Sequence, residues 1–191
     1  MNNIEVKGTK DTLIEVARQL FAKIGIENTT MNDIAVTSNK GRRTLYTYFN
    51  CKEDVYLAVV EAELNQIYRS LETVVDKKIP ADKKLLEFIF TRFEALKELV
   101  LRNGTLRASF FRDIWRLETV RKRLDIHEIN YIQSILKEGV NANLFEVEDI
   151  ESMAFVLHYA FKGLEIPYIQ GTLKWSESML RFLFHGIKKN K

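Results

Sequence analysis

Apolar residues recur at helical spacing along nearly the whole chain, and this periodicity constrains the fold more than any other feature. Leu13, Val16, Ala17, Leu20, Phe21 and Ile24 fall at i, i+3, i+4, i+7, i+8 and i+11. A half-buried strand would carry them at alternate positions. This spacing instead lines them along one face of a helix of about three to four turns. Gly25 follows the last of them, where a left-handed C-cap is wanted. No segment shows convincing two-residue alternation, so the fold class is all-α.

Thr30 caps a short second helix, with Asp33 in its first turn and Met31, Ile34 and Ala35 on its inner face. Ser38, Asn39, Lys40 and Gly41 then form the one cluster of turn formers in the first half, and Asn and Gly both tolerate positive φ. A third short helix carries Leu45, Tyr48 and Phe49. Asn50-Cys51-Lys52-Glu53 reads as a capping box, with Asn50 as cap and Glu53 reaching back. It opens a long helix whose inner face holds Val55, Ala58, Val59, Ala62, Ile67, Leu71 and Val74, and Pro80 stops that run. Helices are expected further on near 82–101, 104–114, 117–140, 148–170 and 172–188, with breaks at Asn103-Gly104, Asn141-Ala142-Asn143 and Gly171-Thr172.

With 46% hydrophobic and 29% charged residues, the 191-residue chain can bury a core and is not a disordered one. Its single cysteine excludes an internal disulfide framework. The first ten residues lack the apolar centre of a secretory signal, and the longest nearly apolar stretch, 153–161, is too short to span a membrane. These features lead to the expectation of a soluble, cytoplasmic protein that does not enter the membrane. The residue pattern also argues against an enzyme. His127-Glu128 is followed by Tyr131 where a zinc-protease motif needs His. Leu124, Phe155 and Phe182 stand where a di-iron bundle would need Glu three residues before His. No phosphate-binding glycine pattern and no nucleophile–base pairing emerges, so no catalytic residue, metal or cofactor is expected. Cys51 reads as a small residue beside a helix start, although a helix N-terminus can lower a thiol pKa.

The net charge of +3 is mild, but its distribution is not even. No acid lies between Asp33 and Glu53, while Lys40, Arg42, Arg43 and Lys52 are all basic. Two short helices joined by a tight turn and preceded by a packed helix make a helix-turn-helix, whose second helix enters the DNA major groove. In that second helix Leu45 and Phe49, at i and i+4, face inward together. Arg42, Arg43, Thr44, Tyr46 and Thr47 are left for the other faces. Tyr46 and Tyr48 sit 200° apart on a helix and so do not share a face.

At this point the chain resembles the TetR-type (tetracycline-repressor family) transcriptional regulators. The resemblance lies in Ala17, Leu20, Phe21 and Gly25, then Thr29-Thr30-Met31 with Asp33-Ile34-Ala35, then Thr44 to Phe49 with Lys52-Glu53. These residues cover roughly 10–56 in the family's order and spacing. The turn departs from the family habit of a small residue, Gly, an apolar residue and Ser, and Arg43 stands where the family often has a small residue.

The resemblance implies a three-helix DNA-binding domain over 1–52. It implies a helical ligand-binding and dimerisation domain over 53–191. The expected partners are double-stranded operator DNA, a second copy of the chain and a small apolar or amphipathic effector that releases a repressor. A regulator controlled by a protein partner instead of a ligand is the alternative, and a helical enzyme or carrier is the third reading. The residues expected at DNA are Thr30, Lys40, Arg42, Arg43, Thr44, Tyr46, Thr47, Tyr48 and Lys52. Of these, Thr30 also caps, Tyr48 has core packing as a rival role, and Lys52 is assigned to phosphate over an ordinary surface role. One of Arg42 and Arg43 reads a base and the other grips phosphate, with the order open. Candidate pocket aromatics are Phe88, Phe93, Phe111, Trp115, Tyr131 and Tyr159. The expected dimer forms through the last two helices. Over 150–168, Ile150, Met153, Ala154, Leu157, Phe161, Leu164 and Tyr168 make one stripe, and Phe155 and Tyr159 lie off it.

Overall fold

The structure, a computed structural model, describes residues 8–103, 118–174 and 176. Seven helices occupy them: α1 (Thr9–Ile24), α2 (Met31–Thr37), α3 (Arg42–Tyr48), α4 (Lys52–Val75), α5 (Ala81–Arg102), α6 (Glu118–Asn141) and α7 (Ile150–Ile169). No β-strand is among these elements, and the all-α expectation holds. None of the described helices is long and apolar enough to cross a membrane. The expected helix over 104–114 lies outside the described residues, as does most of the one over 172–188. Thr172, Leu173 and Lys174 are described and are not helical. The N–H groups of Thr172 and Leu173 instead bond the carbonyl of Pro167, closing the end of α7 around Gly171 at φ 75°.

The chain divides into two compact units, Met1–Asn65 with Leu99–Arg116 and Gln66–Glu98 with Leu117–Lys191. The sequence reading placed a boundary at 52/53, where α4 begins. The first compact unit runs on to Asn65, within α4 (Lys52–Val75).

In the first unit the α1 stripe is buried as its spacing demands, with Leu13, Ala17 and Phe21 wholly inaccessible. Leu13 and Phe21 each contribute on the order of 1.5–3 kcal/mol by leaving water. Ile34 and Ala35 of α2, Leu45 of α3, Phe49 and Val55 are buried too, and the Phe21 ring meets the edge of Tyr56 at 6.2 Å. Gly25 has the expected positive φ of 86°, but its ψ of 160° is extended. It therefore ends α1 without the left-handed helical turn that the sequence suggested.

In the second unit Leu71, Leu85, Phe88, Ile89, Phe93, Ile132, Ile135, Leu136, Phe145, Ala154 and Phe161 form one core. Gly139 is needed there, since a Cβ on it would stand 2.0 Å from the Phe145 ring. The α7 stripe faces this core as expected. Ala154 and Phe161 are buried, and Ile150, Met153, Leu157, Leu164 and Tyr168 pack against them.

Candidate nucleic-acid interface

The turn between α2 and α3 is a Schellman motif. The N–H of Lys40 bonds the carbonyl of Ala35 at 3.0 Å and that of Asn39 bonds Val36 at 3.0 Å. Asn39 takes the left-handed position, with φ 53°. Its short polar side chain tolerates that conformation better than most. Gly41, at φ −65°, begins α3 with no side-chain cap, so the first N–H groups of α3 receive no hydroxyl or carboxylate from it. At the start of α2 the opposite holds. The Thr30 hydroxyl accepts from the Asp33 N–H at 3.1 Å, while the Asp33 carboxylate accepts from the Thr30 N–H at 2.8 Å and hydroxyl at 2.7 Å. Those bonds from Thr30 lower the Asp33 pKa. The hydroxyl proton of Thr30 is thus engaged within the chain.

The α3 residues divide as their spacing requires. Leu45 and Phe49 are buried, whereas Arg42, Arg43, Tyr46, Thr47 and Tyr48 are exposed. Thr44 is half-buried, and so is Lys40 in the turn. Tyr48 keeps 44% of its surface accessible and its ring lies 6.5 Å from that of Phe49, so core packing is not its role. The Thr47 hydroxyl donates to the Arg43 carbonyl at 2.9 Å, back along its own helix. Exposed Arg, Tyr and Thr over one short helix supply both the charge that phosphates attract and the donors that base edges accept.

Lys52 has a partner the sequence did not reveal. Its ammonium donates to the Ile26 carbonyl at 2.7 Å and approaches that of Glu27 at 3.4 Å, fastening the start of α4 to the α1–α2 loop. The capping box expected at Asn50 and Glu53 is displaced by one residue. The Cys51 carbonyl accepts the first helical bond, from the Val55 N–H, and Asp54 rather than Glu53 reaches back, to the Asn50 N–H at 2.9 Å. Cys51 is exposed. The Asp54 N–H favours its thiolate, but desolvation and the carboxylates of Glu53 and Asp54 outweigh that and raise its pKa, which is the reverse of an activated thiol.

The pocket candidates are dispersed. Phe88 and Phe93 are fully buried; Tyr131 meets Phe88 edge-on at 6.4 Å, and Phe93 meets Phe161 at 6.4 Å and Tyr168 at 5.1 Å. Tyr159 is on the outer face of α7, beside Phe155 at 4.5 Å. Phe111 and Trp115 lie outside the described residues. The sequence reading missed a buried charged group beside this aromatic core. Arg92 of α5 donates to Glu128 of α6 and to Glu165 of α7. His158 of α7, 1% exposed, has Asp125 at 3.4 Å and Glu128 at 3.2 Å, and Lys162 grips Asp125 at 2.6 and 2.7 Å. Neither ring nitrogen of His158 is aligned for a hydrogen bond, and the Arg92 Nη1 also lacks one. Burial alone would depress the His158 pKa, but the two carboxylates outweigh it and the value is raised.

Residues 13–59 match the family model described as bacterial regulatory proteins, tetR family. The HTH-type transcriptional regulator YhgD of Bacillus subtilis is 22% identical over 78% of this chain and 78% of its own length. The fatty acid metabolism regulator protein of the same organism is 25% identical over 68% of this chain and 67% of its own. The crystal structure of a transcriptional regulator from Cytophaga hutchinsonii shares the fold at a TM-score of 0.71, with 24% identity over 84% of this chain and 81% of that one. The helix-turn-helix lies within the matched segment, and in that segment and in its fold the chain is similar to TetR-type transcriptional regulators.

Proposed function

We propose that the chain is a homodimeric repressor that binds a specific operator and is released from it by a small apolar or amphipathic ligand. In this reading residues 1–52 bind DNA and 53–191 hold the effector and the dimer contact. The observation that carries it is the exposure of Arg42, Arg43, Tyr46, Thr47 and Tyr48 on one short helix anchored by buried Leu45 and Phe49. The aromatic core around Phe88 and Phe93, with charged groups beside it, supports a ligand with a long apolar part and a polar end. Similarity to a regulator of fatty acid metabolism is in keeping with such a ligand. Phe155, Val156, Tyr159 and Ile166 leave an apolar outer face on α7, which suits an isologous contact between two copies.

A gel shift on the DNA upstream of the chain's own coding region, at two salt concentrations, tests the reading. The expected result is a discrete complex that resists competitor DNA and weakens with salt, and that amphipathic ligands dissolve. Weak retardation indifferent to sequence would favour a carrier or enzyme. Tight binding unaffected by any ligand would favour control by a protein partner.

A further inference from the structure

We propose that Glu63 is a positioning residue that fixes how α1 presents the helix-turn-helix to DNA, with the C-terminal end of α5 as its second anchor. Glu63 lies on α4 and is 4% exposed. A carboxylate removed from water to that extent is unfavourable unless its oxygens are saturated. Here groups from two other helices and the residue that follows one of them surround it. Arg102 Nη2 donates at 2.7 Å and Asn103 Nδ2 at 2.6 Å, both to the same oxygen, and Arg18 Nε of α1 stands 3.8 Å from the other. Arg18 is itself held square by Glu15, with bonds of 3.0 and 2.7 Å, and that partner more than offsets burial to raise its pKa. Asn103 is fully buried and also closes α5 by donating to the Leu99 carbonyl at 2.8 Å.

Such a group needs a reason beyond stability, because apolar side chains of the same volume often stabilise as well or better. Direct contact with DNA is not that reason, since a buried anion repels phosphate. The remaining role is orientation. α1 packs on α2 and α2 on α3, so the angle at which Arg18 is held carries through to the exposed face of α3. Glu63, Arg18, Arg102 and Asn103 all belong to the first unit, so the end of α5 anchors the carboxylate that faces α1. The inference rests on the functional reading above, in which α3 enters DNA.

The test uses the full chain and a duplex obtained by selection with the wild-type protein. Binding by Glu63→Gln, Arg102→Met and the double variant is measured by anisotropy against that duplex and a random one, with circular dichroism melts to confirm folding. Each single change is expected to weaken specific binding roughly tenfold, and the pair no more than either alone. Glu63→Asp should restore part of the loss, and the salt slope should stay unchanged, as a lost phosphate contact would not allow. Folded variants within about twofold of wild type, or losses that multiply, would overturn the proposal. If Glu63→Gln does not fold, Arg102→Met alone decides, because the Arg102 side chain is 39% exposed. A wild-type chain that selects no duplex overturns the functional reading and this inference with it. Wild-type selection with unchanged variants overturns this inference alone.

Discussion

The ammonium of Lys52 donates to the carbonyl oxygen of Ile26 at 2.7 Å, joining the first turn of α4 to the loop that precedes α2. An ammonium has three donors and the start of a helix also attracts anions, so a phosphate contact proposed for Lys52 is compatible with this bond. Lys52→Ala should weaken binding to every DNA sequence alike and flatten the salt dependence by about one contact. It should also cost about 1 kcal/mol of stability, since the carbonyl loses a charged donor at a half-exposed site. Titrations at several salt concentrations on specific and random duplexes check the first effect, and a urea midpoint checks the second. A loss confined to one sequence would mean that Lys52 reads bases.

Arg42 and Arg43 open α3, both exposed, and adjacent residues point about 100° apart on a helix. They cannot sit over the same base. Alanine at the base reader should cost about 1–3 kcal/mol and relax preference at one base pair per half-site. Alanine at the other should lower affinity without changing preference. Half-sites should lie roughly 34–36 Å apart, or a multiple of that. Site selection with both variants decides the assignment. If neither changes the selected sequence, the choice of operator comes from Lys40, Thr44, Tyr46 or DNA shape.

The parts of this molecule that the sequence made legible are those set by local periodicity and by single-residue backbone preference. Leu13, Ala17 and Phe21 announce a buried face by spacing alone, and that face is buried. Asn and Gly both tolerate positive φ, Asn39 reads as the left-handed residue, and Asn39 rather than Gly41 adopts it. The difference is that the Schellman turn needs one left-handed residue, immediately after the C-cap. The buried charges were illegible because their partners are distant in sequence. Arg92 meets Glu128 across 36 positions and Glu165 across 73. A signal did exist. Arg92 stands four residues after Phe88, Glu128 four before Ile132, His158 four after Ala154 and Glu63 four after Val59, each at a core-facing register of its helix. A charged residue at such a register either breaks the stripe or meets a partner from another helix, and only the three-dimensional structure distinguishes these outcomes.

Stability should depend on pH through His158. Asp125 and Glu128 face its ring, Arg92 and Lys162 pair with those carboxylates, and the Tyr159 ring lies 5.0 Å away. Its pKa is raised above the ordinary 6.5, so folding strengthens its hold on the proton. Its contribution is complete below the unfolded value and is lost as pH rises through the higher folded value. Asp125 and Glu128 act in the opposite sense. Burial works against their ionisation, but Lys162 and His158 near Asp125, and Arg92 near Glu128, hold both below their ordinary values. Their contribution is present above the unfolded carboxylate range, about 4, and is lost as pH falls through the lower folded values. Urea midpoints over a pH series should therefore decline on both sides of a maximum. His158→Gln should remove the decline on the alkaline side and keep the acid one. Parallel curves for wild type and variant would show that His158 does not titrate between the two states.

The outer face of α7 sets the last expectation. Phe155, Tyr159 and Ile166 stand at i, i+4 and i+11, each about half exposed, and the first two rings contact each other at 4.5 Å. The inner stripe of the same helix is already occupied by Ala154, Phe161 and their neighbours, so these rings have no role in the core described above. Apolar residues presented in line on one helix favour association with an identical face across a two-fold axis. Sedimentation should find a dimer at micromolar concentration. Phe155→Asp with Tyr159→Lys should shift it to monomer while the helical circular dichroism is kept, because both side chains are about half exposed. Operator binding should fall more steeply in that variant than binding to random DNA, since two linked half-site contacts become two separate ones. A wild-type monomer would exclude the two-fold arrangement. A dimer that survives both substitutions would move the contact to another surface.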